Sequence, residues 1–159
     1  MTLAYVALGA NLGDAEGTLR AAEQALAALP GAHVIKISSL YRTAPVGLKH
    51  QPDFINAAAV LDYDGTSRAL LDALFSIEQR FGRQRSIPNA PRTLDLDLLL
   101  FGSESSDDDA LTLPHPRMHE RAFVLAPLHE IAPGLVIPGQ GAVVDLLEKC
   151  ADQRIERME

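Results

Sequence analysis

Residues 92–101 read RTLDLDLLLF, and polar and apolar residues alternate in the first part of this stretch. Successive side chains of a β-strand point to opposite faces of a sheet, so the alternation predicts a strand over residues 93–101. Asp95 and Asp97 then share one face of that strand. The opposite face carries the neighbouring leucines, Leu94, Leu96, Leu98 and Leu100.

Two carboxylates on one face of a rigid strand repel each other unless positive charge lies between them. A hard divalent cation such as Mg²⁺ is a suitable partner, because it binds a few carboxylates together with the phosphate oxygens of a substrate. The alternative is a half-exposed strand whose outer face is acidic, and the pattern alone leaves both interpretations open.

Positive charge is concentrated just before this strand. Residues 79–93 contain four arginines and no acidic residue. The planar guanidinium group suits bidentate contacts with phosphate, so a basic loop beside a pair of carboxylates is typical of polyphosphate binding. A solvated basic loop is the alternative. The four residues are Arg80, Arg83, Arg85 and Arg92.

The order of predicted elements is strand, helix, strand, strand, helix, strand. Strands are expected over residues 3–8, 34–41, 54–63 and 93–101. Asp14 is expected to cap the first helix, and Thr66 or Ser67 the second. This order predicts an α+β protein with a ferredoxin-like βαββαβ core, whose mainly antiparallel sheet carries both helices on one face.

The C-terminal third is expected to add short helices near residues 118–131 and 143–151, with Pro127 interrupting the first of them. Asp107, Asp108 and Asp109 are predicted to form a solvated loop tip. The chain has 159 residues and shows neither an internal repeat nor a linker, so we expect a single domain over residues 1–159.

Bulk composition narrows the classes of function. The formal net charge of −7 argues against a general nucleic-acid-binding protein. Cys150 is the only cysteine, which excludes an intrachain disulfide and fits a reducing compartment. The sequence shows neither a signal-peptide pattern nor an apolar run of membrane-spanning length, so we expect a cytoplasmic protein without a membrane partner.

Further candidates lie outside the acidic strand. Phe54 and Asn56 alternate on one strand face and could bind a flat heterocycle, with Phe123 as a second ring; both rings could instead belong to the core. His115 lies between two prolines and either contacts a phosphate or supports a turn. Glu78 lies at the edge of a helix stripe, either at the rim with its side chain reaching water or buried against a polar ligand or an arginine.

Five segments together resemble the family of 6-hydroxymethyl-7,8-dihydropterin pyrophosphokinases over almost the whole chain. They are YVALGANLGD from residue 5, SSLYRTAPVG from residue 38, QPDFINA from residue 51, PRTLDLDLLLFG from residue 91 and the segment of residues 113–133 that begins LPHPRM. The resemblance implies a ferredoxin-like fold. It also implies an ATP-dependent diphosphotransferase of tetrahydrofolate biosynthesis, which moves pyrophosphate from ATP to the pterin hydroxymethyl group and releases AMP.

The resemblance also implies site residues. Asp95 and Asp97 would bind two Mg²⁺ ions that bridge the phosphates of ATP, and the catalytic set would be Arg83, Arg92, Asp95 and Asp97. The ATP-binding set would be Glu78, Arg83, Arg85, Arg92, Leu98, His115 and Arg121. The pterin-binding set would be Thr43, Val46, Phe54, Asn56, Asp95 and Phe123. The binding partners would be ATP and 6-hydroxymethyl-7,8-dihydropterin, with no nucleic acid or membrane. The protein would be a monomer.

Two other functions are compatible with parts of this pattern. A metal-dependent phosphoesterase would use Asp95 and Asp97 but would leave Phe54 and Asn56 without a purpose. A non-catalytic ferredoxin-like ligand-binding module would keep its ligand affinity and its cellular function after Asp95→Ala.

Overall fold

A computed structural model describes residues 1–44, 52–81 and 94–158 of the chain. The elements of the first two thirds are β1 (Thr2–Ala10), α1 (Ala15–Ala27), β2 (Ala32–Ile37), β3 (Tyr41–Thr43), β4 (Phe54–Tyr63), α2 (Ser67–Arg80) and β5 (Asp95–Phe101). The remainder contains β6 (Ser106–Asp108), β7 (Leu111–Leu113), a 3-10 helix (Met118–Glu120), α3 (Ala122–Ile131), β8 (Val136–Ile137), β9 (Gly141–Ala142), α4 (Val143–Glu148) and β10 (Ile155–Arg157).

The main sheet is antiparallel and has the strand order β10-β3-β4-β1-β5, with β2 pairing β4 beside β3. The long strands β1 and β4 form its centre and pair along their whole length, from Thr2 opposite Tyr63 to Ala10 opposite Ile55. Strand β5 lies at one edge and bears the two aspartates. The predicted mixed α/β architecture with an antiparallel sheet is therefore confirmed.

Helices cover both faces of this sheet. One face packs against α1 and α2 through a core that includes Leu19, Leu26, Leu70 and Leu74. The other face packs against α3 and α4 through a second core. The prediction that the first two helices share one face is confirmed. Asp95 and Asp97 lie on the α3 face, because their cross-strand partners Gly9 and Ala7 alternate with core residues of the α1 face.

Both predicted helix caps are present. The Asp14 side chain accepts a hydrogen bond from the backbone N–H of Gly17, and the Thr66 hydroxyl accepts one from Ala69 N–H. Each cap satisfies one of the backbone donors that the first turn of a helix leaves unpaired. Helix starts could be predicted because a cap depends only on residues close in sequence.

The strand predicted over residues 34–41 is wrong in its bounds, because the chain forms two separate strands there, β2 and β3. Ser38 causes the interruption. Its backbone N–H donates to Ala58 O, while its hydroxyl accepts from Ala58 N–H and donates to Ser39 O. The hydroxyl thereby replaces a backbone carbonyl in the ladder, and the backbone is released to bend before Tyr41.

The predicted leucine face of β5 is also wrong at one position. Leu94, Leu96 and Leu98 belong to the α1 and α2 core, but Leu100 belongs to the core on the α3 face. The register between β1 and β5 shifts between Tyr5 and Val6, so that Val6 faces Leu98 and Tyr5 faces Leu100. This bulge inserts one extra residue and reverses the alternation beyond it.

The C-terminal predictions need three corrections. Pro127 lies inside α3 and does not interrupt it. The proline is buried, and its neighbours Leu125 and Leu128 belong to the core on the α3 face, whose apolar packing offsets the missing backbone donor. The second predicted helix is shorter, with α4 covering Val143–Glu148. Asp107 and Asp108 lie on β6 of a small hairpin, whose turn the Asp108 carboxylate supports by accepting from Ala110 N–H. The three aspartates are exposed, as expected.

Among the helices of the described ranges, none has the length and apolar character required to span a membrane.

Candidate active site

Residues from four adjacent strands form a row across the α3 face of the sheet. Asp95 on β5 lies opposite Gly9 on β1, Gly9 lies opposite Asn56 on β4, and Asn56 lies opposite Tyr41 on β3. Neighbouring strands are about 4.8 Å apart, so Asp95 and Asn56 are separated by roughly 10 Å, with Gly9 between them. The acidic pair and the amide predicted to bind a heterocycle are therefore brought to the same surface.

The floor between Asp95 and Asn56 is made of small residues. Gly9 has no side chain, and a Cβ placed there would lie 3.0 Å from the Asn56 Oδ1 atom. The next row contains Ala7 opposite both Asp97 and Ala58. Small residues thus line the sheet between the acidic pair and the amide. The backbone at Gly9 and the Asn56 side chain therefore approach each other closely.

Asn56 has a defined orientation. Its Nδ2 donates a 3.0 Å hydrogen bond to the Thr43 hydroxyl, and both side chains are buried. With Nδ2 held by Thr43, Oδ1 lies on the side of Gly9. Phe54 lies two residues before Asn56, on the same face, and remains partly exposed. The predicted association of a ring and an amide on one face is confirmed.

Glu78 is completely buried at 0% exposure. Its Oε2 accepts a 2.8 Å hydrogen bond from the backbone N–H of Leu96, the residue between the two aspartates. Of the two positions that the sequence left open, the buried one is correct, but the hydrogen-bond partner seen here is a backbone N–H, which the sequence did not predict. The carboxylate contacts the backbone of β5 and fixes the strand from which Asp95 and Asp97 project.

Two other segments anchor the outer edge of β5. In an antiparallel strand every second residue points its N–H and C=O away from the paired neighbour. Leu96 points outward to Glu78, and the Leu99 carbonyl accepts from His115 N–H at 2.9 Å. Leu98 lies between these two anchors. Leu98 itself is buried, at 4% exposure.

His115 lies close to the acidic strand. Burial, followed by the positive charge of Arg121, lowers the pKa of His115 to about 4, although the charge of Asp95 opposes the shift. The imidazole is thus neutral at pH 7, and its Nδ1 accepts a 3.4 Å hydrogen bond from Arg117 N–H. The neutral ring presents Nε2 as a possible hydrogen-bond donor.

The start of α3 contributes an aromatic ring and a cation. The Arg121 guanidinium lies 5.5 Å from the centroid of the Phe123 ring, within cation-π distance. Phe123 is only partly buried and packs beside the α3 core. His115, Arg121 and Phe123 therefore lie near the same part of the site.

Four predicted site residues, Val46, Arg83, Arg85 and Arg92, lie outside the described residues. Within residues 1–44, 52–81 and 94–158, no group of three or more histidine, cysteine or acidic side chains is arranged as a metal site. Two carboxylates remain a suitable set for Mg²⁺, which usually takes one or two carboxylates and completes its shell with water and substrate phosphate.

Sequence reasoning missed two contributions to this region. Asn11 is buried, and its Nδ2 donates a 3.1 Å hydrogen bond to the carbonyl of Pro52, just before β4. Glu130 on α3 binds Ser39 and Tyr41 of the β3 region. Asparagine in a glycine-rich turn was the available signal for Asn11; nothing local indicates Glu130, because its partners are about ninety residues away.

Known proteins resemble this chain over most of its length. The family model of 7,8-dihydro-6-hydroxymethylpterin-pyrophosphokinase (HPPK) matches residues 5–133. Proteins called 2-amino-4-hydroxy-6-hydroxymethyldihydropteridine pyrophosphokinase are similar along their whole length. The one from Methylorubrum extorquens is 45% identical over 159 residues, covering 100% of both chains. The one from Haemophilus influenzae is 40% identical over 158 residues, covering 99% of both.

A solved structure supports the fold. A crystal structure of Plasmodium falciparum HPPK-DHPS superposes with a TM-score of 0.76 at 14% identity, covering 95% of this chain and 46% of that longer chain. Such low identity speaks for the fold alone. The family model and the full-length relatives show more: this chain belongs to the 7,8-dihydro-6-hydroxymethylpterin-pyrophosphokinase family.

Proposed function

We propose that this protein transfers the pyrophosphoryl group of ATP to the hydroxymethyl oxygen of 6-hydroxymethyl-7,8-dihydropterin, with release of AMP, in tetrahydrofolate biosynthesis. The observation that carries the proposal is the row formed by Asp95, Gly9 and Asn56. It combines an acidic pair, suited to a metal–phosphate complex, with a side-chain-free floor that ends at an oriented amide. A phosphoesterase would need the acidic pair, but it would not need the floor that ends at an oriented amide.

The acidic end of the row suits Mg²⁺. Asp95 and Asp97 offer hard oxygen ligands on one face of a strand, and we propose that they bind two Mg²⁺ ions together with the phosphates of ATP. These ions would neutralise charge on the transferred group and on the leaving AMP. The chain's own contribution is to hold both carboxylates at fixed spacing, which the bond between Glu78 and Leu96 supports.

The ATP side of the site follows the edge of β5. From the sequence we include Leu98, which lies between the anchored positions Leu96 and Leu99, as an ATP contact. His115 and Arg121 are suited to phosphate oxygens, one as a neutral donor and the other as a cation. Glu78 would act on ATP through the backbone of β5. From the sequence we include Arg83, Arg85 and Arg92 as further phosphate ligands, with Arg83 and Arg92 counted as catalytic.

The pterin side of the site lies at the other end of the row. The Asn56 amide is oriented by Thr43, so its Oδ1 can accept from the N–H groups of the pterin ring. Phe54 and Phe123 are partly exposed rings on β4 and α3 and would stack on the two faces of the heterocycle. We include Val46 from the sequence as a backbone contact. Asp95 would lie nearest the hydroxymethyl group and touch both substrates.

These residues accelerate the reaction mainly by positioning and by electrostatics. Asn56 and the two rings hold the pterin in one orientation, while His115 and the arginines hold the phosphates. The proposal includes no protein nucleophile. Release of AMP in preference to ADP then depends on which phosphorus atom the hydroxymethyl oxygen faces.

The proposal extends to the whole chain. The order β5-β1-β4-β2 with two crossover helices supports a ferredoxin-like core. We further propose that residues 1–159 form one domain that acts as a monomer in the cytoplasm, where ATP is available. The family model covers residues 5–133, and the remaining C-terminal residues contribute α4 and β10.

A direct assay tests this function. The protein is incubated with ATP, Mg²⁺ and 6-hydroxymethyl-7,8-dihydropterin, and nucleotides are separated by chromatography. We expect AMP to form in proportion to pterin diphosphate, and no AMP without pterin. Formation of ADP, or pterin-independent phosphate release, would contradict the proposal and favour an ordinary kinase or a phosphoesterase.

A further inference from the structure

We call the proposed pterin site between the two phenylalanine rings the pterin slot. Its two walls lie on different elements. Phe54, Asn56 and Thr43 are on β4 and β3, whereas Phe123 is on α3. Apolar packing joins α3 to the sheet, with Val124, Leu125 and Leu128 in the same core as Ala58 and Val60. Such contacts are non-directional, so by themselves they define the spacing between the walls less strictly than hydrogen bonds do.

Glu130 supplies a directional connection between these walls. Both of its oxygens accept from Ser39 N–H, at 3.0 Å each, and Oε1 accepts from the Tyr41 hydroxyl at 2.7 Å. The Ser39 hydroxyl donates to Oε2 at 3.1 Å. One carboxylate of α3 is therefore bound to the short segment that begins β3.

The C-terminal strand completes this cluster. The Arg157 guanidinium lies 3.5 Å from Glu130 Oε2, and its Nε donates to the Ser39 hydroxyl at 3.1 Å. Strand β10 pairs with β3, with Arg157 opposite Tyr41, and Met158 N–H continues the ladder to Leu40 O. Arg157 lies beyond the part of the chain that the family model matches. We call Glu130, Ser39, Tyr41 and Arg157 the Glu130 cluster.

The ionisation of the cluster fits a fixed carboxylate. Burial favours the neutral acid, but the hydrogen bonds from Tyr41 and Ser39 and the charge of Arg157 outweigh it and lower the pKa of Glu130. Burial and the bond to Glu130 raise the pKa of Tyr41. At neutral pH the pair is therefore a charged acceptor and a neutral donor, which form a strong hydrogen bond.

The cluster is aligned with the slot. Glu130 and Phe123 are seven residues apart on α3, which places them on the same face, about two turns or roughly 10 Å from each other. Tyr41 lies directly opposite Asn56 in the sheet. The ring of one wall and the amide of the other are thus connected through a single carboxylate.

We propose that Glu130 is a positioning residue for the pterin slot, which holds Phe123 at a fixed distance from Asn56 with the help of Arg157. The inference rests on the proposed function. Glu130 touches neither substrate in this assignment, so it acts through the placement of α3 against β3. Its loss should weaken the use of pterin more than the use of ATP. Phe123 lies within α3, whereas the acidic pair lies on β5 and Arg121 only adjoins the start of α3.

The test compares Glu130→Gln with the wild-type protein and with Glu148→Gln, a control on the exposed side of α4. Gln keeps the shape of Glu but turns one acceptor into a donor that faces Ser39 N–H or the Tyr41 hydroxyl. We expect KM for 6-hydroxymethyl-7,8-dihydropterin to rise by about tenfold, the equivalent of one charged hydrogen bond. KM for ATP should rise by a clearly smaller factor, because the acidic pair lies on β5 and Arg121 only adjoins α3.

A second variant keeps the inference falsifiable if Glu130→Gln does not fold, as judged by far-ultraviolet circular dichroism. Tyr41→Phe removes one donor and retains the ring, and it should raise the pterin KM by roughly threefold, as loss of one hydrogen bond of several predicts. An equal change in both KM values, or no change in a folded variant, would overturn the inference. A wild-type protein that releases no AMP would instead overturn the proposed function.

Discussion

The carboxylate of Glu78 accepts a 2.8 Å hydrogen bond from the backbone N–H of Leu96, the residue that separates Asp95 from Asp97. A fully buried acid on α2 thus holds the edge strand between the two carboxylates proposed to bind Mg²⁺. Edge strands have unpaired backbone groups and need such support when they carry a rigid site. Glu78 links the stability of the fold to the spacing of the acidic pair.

Replacing Glu78 with Leu should destabilise the protein and impair turnover. The variant leaves the N–H of Leu96 buried without its acceptor, which costs about 1–3 kcal/mol. Urea denaturation followed by circular dichroism measures the change, with Gln79→Ala on the exposed side of α2 as the control. A stability equal to that of the wild-type protein would show that water or another group replaces the carboxylate.

Replacing Asp97 with Asn should abolish most of the activity without affecting folding. The amide keeps the size of the side chain but removes the charge that a Mg²⁺–triphosphate complex requires, and we expect AMP release to fall by several powers of ten. Asp107→Asn, on the exposed β6 hairpin, is the matched control. Turnover within a few fold of wild type would mean that the acidic pair does not bind the catalytic metal.

Replacing Thr43 with Val should weaken pterin use specifically. Valine has nearly the same shape but cannot accept the hydrogen bond from Asn56 Nδ2, so the amide loses its fixed orientation. We expect the pterin KM to rise about tenfold, and Thr43→Ser, which retains the hydroxyl, to restore most of the loss. If Val and Ser behaved alike, the orientation of Asn56 would not depend on this bond.

Replacing Gly9 with Ala should produce a related defect by a steric route. The added Cβ would lie 3.0 Å from Asn56 Oδ1, closer than ordinary contact, and would occupy the floor of the slot. The expected result is a higher pterin KM at an ATP KM within about twofold of wild type. Ala10→Gly on the same strand is the control, because Ala10 lies on the opposite face. Unchanged pterin kinetics would place the pterin elsewhere.

His115 should contribute a pH dependence of stability. Its pKa is about 4 in the folded protein, below the ordinary value of 6.5. The unfolded chain therefore binds more protons between these values, and stability falls as pH decreases from about 6.5 to 4, by at most about 1.4 kcal/mol per pH unit from this one group. Urea denaturation at several pH values tests this, with His115→Gln expected to have a shallower dependence.

An NMR titration measures the pKa of His115 directly. The imidazole signals that are missing from the spectrum of His115→Gln identify the residue, and they should titrate near pH 4 in the ligand-free protein. A midpoint near 6.5 would indicate that the ring is more hydrated than its burial implies.

The amino-acid sequence by itself determined those features that depend on neighbouring residues. The alternation around Asp95 and Asp97 predicted their common face, Asp14 and Thr66 predicted the helix starts, and Phe54 and Asn56 predicted a shared face of β4. Each follows from the local geometry of helix or strand, for which a few side chains are sufficient evidence.

Only the tertiary structure decided how these features meet. The pairing of β1 with both β4 and β5 brings Gly9 between Asp95 and Asn56, and the bulge near Val6 moves Leu100 to the other core. Glu78 and Glu130 bind backbone groups far along the chain, at separations of 18 and 91 residues. A buried carboxylate must find donors wherever the fold provides them, and no local pattern specifies a partner so distant in sequence.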